Sequence, residues 1–335
     1  MKKVLIILLT LTVTLLISTS CGNNEAEEDP EEAVDIHAGM AISPLTGQWV
    51  DESIAEQRPV AIMINNIIDA QPMSGVSQAD IIIEAPVEYN ISRLLAIFQD
   101  YEDLDKIGSI RSCRLHYAIL ANEYNSIYIH FGASNIGYNF LYKGLLDHLD
   151  GMADDKVFYR SDDRIAPHNA YTSTEGIKAG IEYKEYNVNL ESNAVFPVVF
   201  NDDEENEITL ENGEEALKVS TNFSHNDPYF EYNDETKTYD RYQFDEAHVD
   251  IENGEQLTFK NLIVQECDWY MADSQHKHII TTGEGIGRYY TNGKMVNITW
   301  SKDSEMGTTH YYYEDGEELV LNKGKTFITL EIQNW

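Results

Sequence analysis

Basic residues are scarce in this chain: 23 lysines and arginines face 58 aspartates and glutamates over 335 residues, a formal net charge of −35. A surface so acidic repels a phosphate backbone instead of releasing its counterions, which excludes nucleic acid as a partner. Cysteine is nearly absent, with three in the chain. Cys113 and Cys267 fall in different halves with no CxxC or Cys/His spacing, so neither a disulfide framework nor a zinc site is encoded. Two free, buried thiols are expected. Cofactor signatures are missing as well. Gly283-Glu284-Gly285-Ile286-Gly287 looks like a nucleotide loop, but no helical pattern follows it, and a β-turn is expected there. His276 and His278 would share one side of a strand without a third ligand, so no metal is expected. Ser112, His130 and an aspartate could form a triad on paper, but no nucleophile elbow surrounds the serine. The chain has neither an internal repeat nor heptads.

Only one long apolar run exists, Val4–Ile17, preceded by Lys2 and Lys3 and followed by Ser18, Thr19 and Ser20. That is the layout of a secretory signal peptide over residues 1–20, too short for an ordinary spanning helix. A cysteine directly after small residues resembles the lipobox of bacterial lipoproteins, which makes Cys21 the lipid anchor. Residues 22–36 then carry seven acidic side chains and no basic one. Such a segment cannot bury enough apolar surface to fold and reads as a self-repelling tether, part of a linker over residues 21–43.

The remaining chain is long enough for two domains. Val60–Ile64, Asp80–Val87, Leu94–Gln99 and Ser126–Gly132 are short β-branched and aliphatic runs that read as buried strands. Helical spacing predicts helices after Ser112, capped by Ser109 or Ser112, over Asn135–Leu149 and over Thr174–Tyr183. Strands alternating with helices imply an α/β domain over residues 44–200. Beyond it, runs at Asn261–Glu266, His278–Thr282, Gly287–Thr291, Val296–Trp300, His310–Tyr313, Glu318–Leu321 and Thr326–Ile332 are punctuated by Asn-Gly, Asp-Gly and Lys-Gly turns. That pattern predicts a mostly antiparallel β domain over residues 201–335. The expected fold is α+β in two domains.

What the chain does have is clustered arginine. Five of its eight arginines lie between residues 93 and 164. Arg93, Arg111 and Arg114 surround the start of the first long helix, where unpaired N–H groups and the positive dipole end favour an anion. Ser112 sits between two of them. A second segment, residues 158–174, places Arg160, Asp162, Asp163 and Arg164 beside Pro167, His168 and Asn169. Arg93, Arg111, Ser112, Arg114, Arg164 and Asn169 are therefore the expected anion-binding set, with His168 and Glu84 as candidate acid–base residues. The opposite reading is equally physical: Glu84, Glu88 or Asp80 could absorb the arginines as buried ion pairs.

The blocks MINNIIDAQPMSGVSQADIIIEAPVE, SRLLAIFQDY, IGSIRSCR, SIYIHFGAS and RIAPHNAYTST, followed by NLIVQ, GEGIGRYYTNGK, ITWSK and GKTFITLEI, resemble the YerB-type bacterial lipoproteins over nearly all of residues 44–332. The resemblance implies a membrane-anchored, extracytoplasmic, two-domain protein, and it implies no known chemistry. The chain departs from that pattern at Glu88-Tyr89-Asn90-Ile91, where a Gly-Gly turn is usual, and at Cys113, where a small residue is usual. Three functions are then expected in order of fit. The first is a non-catalytic binder of an anionic envelope component or partner protein. The second is a hydrolase or transferase acting on phosphate-linked envelope polymers. The third is a scaffold anchored by aromatics such as Trp269 and Trp300. No cofactor is expected, and the oligomeric state stays open.

Overall fold

The computed structural model describes residues 36–333. The expected signal peptide, Cys21 and most of the expected acidic linker lie outside the described residues. A compact unit begins at Gly39 and runs to the C-terminus. Its frame is one 11-stranded sheet. In chain order the strands are β1 Val60–Asn66, β2 Ile81–Pro86, β3 Ser92–Phe98, β4 Ile127–His130, β5 His148–Asp150, β6 Glu214–Glu215, β7 Asn261–Cys267, β8 Gly283–Thr291, β9 Lys294–Lys302, β10 His310–Tyr313 and β11 Thr326–Ile332. Across the sheet they run β6-β9-β8-β7-β11-β2-β3-β1-β4-β5, with β10 also on β9. The halves that read separately in the sequence are thus joined by strand pairing. β11 lies parallel to β7 on one side and to β2 on the other, with Phe327 opposite both Leu262 and Ile82.

The central strands are buried along their whole length, which is why they read as continuous aliphatic runs and not as alternating ones. Side chains nevertheless alternate between two cores. Met63, Ile83, Leu95 and Ile97 face a layer that holds the helix α1 (Leu115–Glu123) with Trp300 and Leu330. Ile62, Ile82, Leu94 and Ala96 face the other layer, built from the helix α3 (Thr174–Lys184) and from Phe230, Tyr239 and Phe259 of a separate small sheet. Glu123, at the end of α1, pairs with buried Lys302 on β9 and accepts the Thr309 N–H at 2.9 Å, tying the first half to the second.

Several expectations are corrected. Strand occupies 40% of the described residues and helix 12%, in several mostly antiparallel sheets. β2 and β3 are joined by a five-residue loop, and so short a connection forces the pair to be antiparallel. The second helix, α2 (Asn135–Leu141), ends early because Gly144 takes a left-handed conformation (φ +67°), and Leu149 is buried in β5 instead. The N-cap position of α1 falls to Arg114, not Ser109 or Ser112, and its side chain makes no capping hydrogen bond. Gly283–Gly287 is neither loop nor turn but the start of β8. A Cβ on Gly285 would lie 2.6 Å from the Trp300 indole nitrogen, which leaves room only for glycine. The Asn292-Gly293 turn joins β8 to β9 as expected, with positive φ at both residues. Cys113 and Cys267 are free and buried.

Asp80, just ahead of β2, accepts the Gln99 N–H at 2.7 Å. Burial pushes its carboxyl up to about 6 against the pull of that bond and of Lys325. A raised carboxyl binds its proton more tightly folded than unfolded, so the stability it contributes is lost as pH rises from about 4 to about 6. Denaturant melts of the parent and of Asp80→Asn across that window should show the loss only in the parent; parallel curves would contradict it.

Candidate functional site

β1, β4 and β5 run parallel, and ligand sites in such sheets lie beyond the carboxyl ends of the strands. Residues 109–113 cross that end. The Arg111 N–H donates to Met63 O at 2.8 Å, Phe131 N–H donates to Arg111 O at 3.0 Å, and Cys113 N–H donates to Gly132 O at 2.8 Å. Here the sheet opens into a cleft of about 400 Å³ lined by Arg111, Ser112, Phe131, Tyr138, Met152 and Arg160, among others.

The arginines are used in different ways. Arg93 and Arg114 are buried, and both close on Glu88: Arg93 Nη2 donates to Oε1 at 2.7 Å, while Arg114 donates to Oε1 at 2.6 Å and to Oε2 at 3.0 Å. Each also donates to the Ser112 carbonyl. Burial and neighbouring Arg114 disfavour the charged form of Arg93, and Glu88 opposes them. Glu88 itself is held below the ordinary glutamate range: burial pushes it up, but Arg93 and Arg114 pull it down further. Arg164 donates to the Ala70 and Pro72 carbonyls and so fastens a loop. Arg111 is different. Among the described residues its guanidinium makes one hydrogen bond, a long one from Nη1 to Pro167 O at 3.3 Å, and its buried Nε has no partner.

Arg160 completes the cleft. Its guanidinium lies 4.8 Å from the centre of the Phe131 ring, and Nη1 donates to Asn169 Oδ1 at 2.7 Å. Asn169 therefore aims a cation instead of meeting an anion. Beneath the cleft, Asp150 accepts from Gly132 N at 2.7 Å, Met152 N at 3.0 Å and the Tyr138 hydroxyl at 2.9 Å. Its carboxylate is thus engaged by the scaffold.

The two candidate acid–base residues do not join this group. Asn65 Nδ2 donates to His168 Nδ1 at 3.0 Å, which places the imidazole proton on Nε2. Burial first, then Arg111, lower its pKa and keep the ring neutral. His168 does not line the cleft. Glu84 sits elsewhere, fully buried, pairing with Arg241 at 2.8 Å and accepting from Asn66 and Asn226 at 2.9 and 3.0 Å, and from Ser92. The paper triad does not assemble: His130 Nδ1 bonds to Gly132 O and Nε2 faces His148. His276 holds Asp273, whereas His278 packs on Tyr270. Among the described residues no group of three potential metal ligands occurs. Trp300 is buried and donates to Glu266 O, so it anchors the core and not a partner. Sequence reasoning left Arg160 out of the binding set; its signal was the nearby Asn169, which was assigned the ligand-facing role.

This sheet, with the cleft at its parallel edge, defines a family. Residues 45–187 match the "Protein of unknown function (DUF3048) N-terminal domain", and residues 219–328 match the corresponding C-terminal domain. The chain belongs to this family, which is the YerB-type family. It is 30% identical over 302 residues to the "Putative lipoprotein YerB" of Bacillus subtilis (strain 168), covering 90% of this chain and 89% of that protein. It also superimposes on the crystal structure of the YerB protein from Bacillus subtilis with a TM-score of 0.76 at 30% identity, covering 87% of this chain and 96% of that one.

Proposed function

We propose that this chain is a lipoprotein anchored through lipidated Cys21 on the extracytoplasmic side of the membrane, and that its cleft binds an anionic group of a cell-envelope component without turning it over. The relative's name supports the anchor. The observation that carries the binding role is Arg111: a half-buried guanidinium on a cleft wall, with Nε unpaired and Arg160 also in the lining. Arg93 and Arg114 pair with the one carboxylate of Glu88, and Arg111 feels that carboxylate without pairing with it, so the cluster keeps a positive surplus that an anion would offset. A phosphate or carboxylate is the fitting ligand chemistry, since both accept paired N–H bonds from a guanidinium. The hydrolytic reading rested on His168 and Glu84, and neither is among the cleft's lining residues.

Inorganic pyrophosphate is the first probe. Calorimetric titration of the parent should give binding that weakens with salt, and Arg111→Ala should lose about 1.5–3 kcal/mol of it. His168→Ala should bind as the parent does. Binding indifferent to Arg111, or turnover that disappears with His168, would overturn this reading.

A further inference from the structure

A second cleft, of about 430 Å³, opens between the loop at residues 68–72 and the hairpin at residues 243–249. Gln243 is 2% exposed and lines it, and its Nε2 has no hydrogen-bond partner. Its amide orientation is set by a chain of contacts. Asn226 Nδ2 must donate, because it meets the Glu84 carboxylate at 3.0 Å, and the same group donates to Gln243 Oε1 at 3.2 Å. The NH2 of Gln243 is what remains. Across the cleft, Gln71 Nε2 is also buried without a partner. Two unpaired amide donors are costly unless something accepts from them.

The surroundings define the acceptor. Ile68, Pro72, Phe244 and Val249 supply apolar wall, and Ile68 is left 56% exposed. Asp245 and Glu246 stand exposed at the hairpin and disfavour an anion. The short strand Glu246–Ala247 pairs on one side with Tyr242–Gln243 and ends its sheet, leaving a backbone edge. Carbonyl oxygens for the amides, an apolar side chain for the walls and a backbone for the edge belong together in an extended peptide.

We infer that this cleft is a second binding site, independent of the anion cleft, that takes an extended, uncharged or basic peptide segment with an apolar side chain. The test is a titration of the full chain in detergent by NMR with a blocked dipeptide, N-acetyl-leucyl-glycine N-methylamide, with chitotriose and pyrophosphate as competing chemistries. The dipeptide should shift amide signals of residues 68–72 and 243–249. Gln71→Leu, on a surface loop, should weaken it about tenfold, and Arg111→Ala should leave it unchanged. Gln243→Leu should weaken it likewise, provided the parent melting behaviour is kept. Shifts at this cleft from chitotriose alone, or none from any probe, would overturn the inference; in the latter case water satisfies the two amides.

Discussion

Glu84→Gln is expected to cost about 3–5 kcal/mol of folding stability, the range for breaking a buried ion pair by removing one partner. Glu84 comes from β2 in the first half and Arg241 from the small sheet in the second, 157 residues apart, and neither side chain is exposed. Arg241 is wedged against two rings, 5.8 Å from Phe230 and 5.2 Å from Phe327. Burial lowers its pKa, and Glu84 is what opposes that. Without the carboxylate's charge the guanidinium has neutral acceptors, His248 Nδ1 and the new amide oxygen, and the Nε hydrogen is already unpaired. Arg241→Met should be similarly harmful, because it leaves a buried carboxylate with three neutral donors. The double variant should lose much less than the sum of the singles, since the second change removes the charge that the first had stranded. Urea denaturation of the four proteins measures this. Single variants costing under about 1 kcal/mol, or strict additivity, would show that the pair is not the connection between the halves described here.

The second large effect belongs to Glu88, where one carboxylate serves two guanidiniums whose side chains are 2% and 7% exposed. Glu88→Gln should also destabilise by about 3–5 kcal/mol. Because Arg93 and Arg114 hold this carboxyl below its ordinary value of 4.5, its stabilisation is complete above that value. It is lost as pH falls through the lower folded-state value. The parent should therefore lose stability more steeply below about pH 4.5 than the variant does. The same substitution acts in the opposite direction on ligand binding. Removing a negative charge that offsets Arg111 should tighten pyrophosphate binding in the protein that remains folded. A variant that melts lower and binds more tightly would separate the structural arginines from the binding one. A variant that binds more weakly would mean that Glu88 positions the cleft instead of neutralising it.

Local pattern carried the elements well wherever the chain's own covalent preferences decide them. The aliphatic runs of β1 to β4 follow from β-branched residues buried on both faces, and the Asn292-Gly293 turn from residues that tolerate positive φ. The span of α2 was misjudged because apolar residues beyond Leu141 continue the helical spacing, and the left-handed glycine at 144 ends the helix before them.

The sequence by itself determined three things about this protein: an acidic chain, the aliphatic strands of its core and a concentration of arginines near residues 93–164 as its unusual chemistry. Tertiary structure alone decided what each arginine does. Whether a guanidinium is neutralised depends on which carboxylate the sheet register delivers to it, as Glu88 to Arg93 and Arg114 or Glu84 to Arg241. It also depends on which carbonyls a loop presents, as residues 70 and 72 do to Arg164. Of these contacts Glu84–Arg241 joins the two halves, which β11 holds together by a pairing 245 residues long in sequence between Thr326 and Ile81. No periodicity within a segment encodes such a register, and so the sequence marked Arg111 together with its neighbours while only the fold left its Nε without a partner.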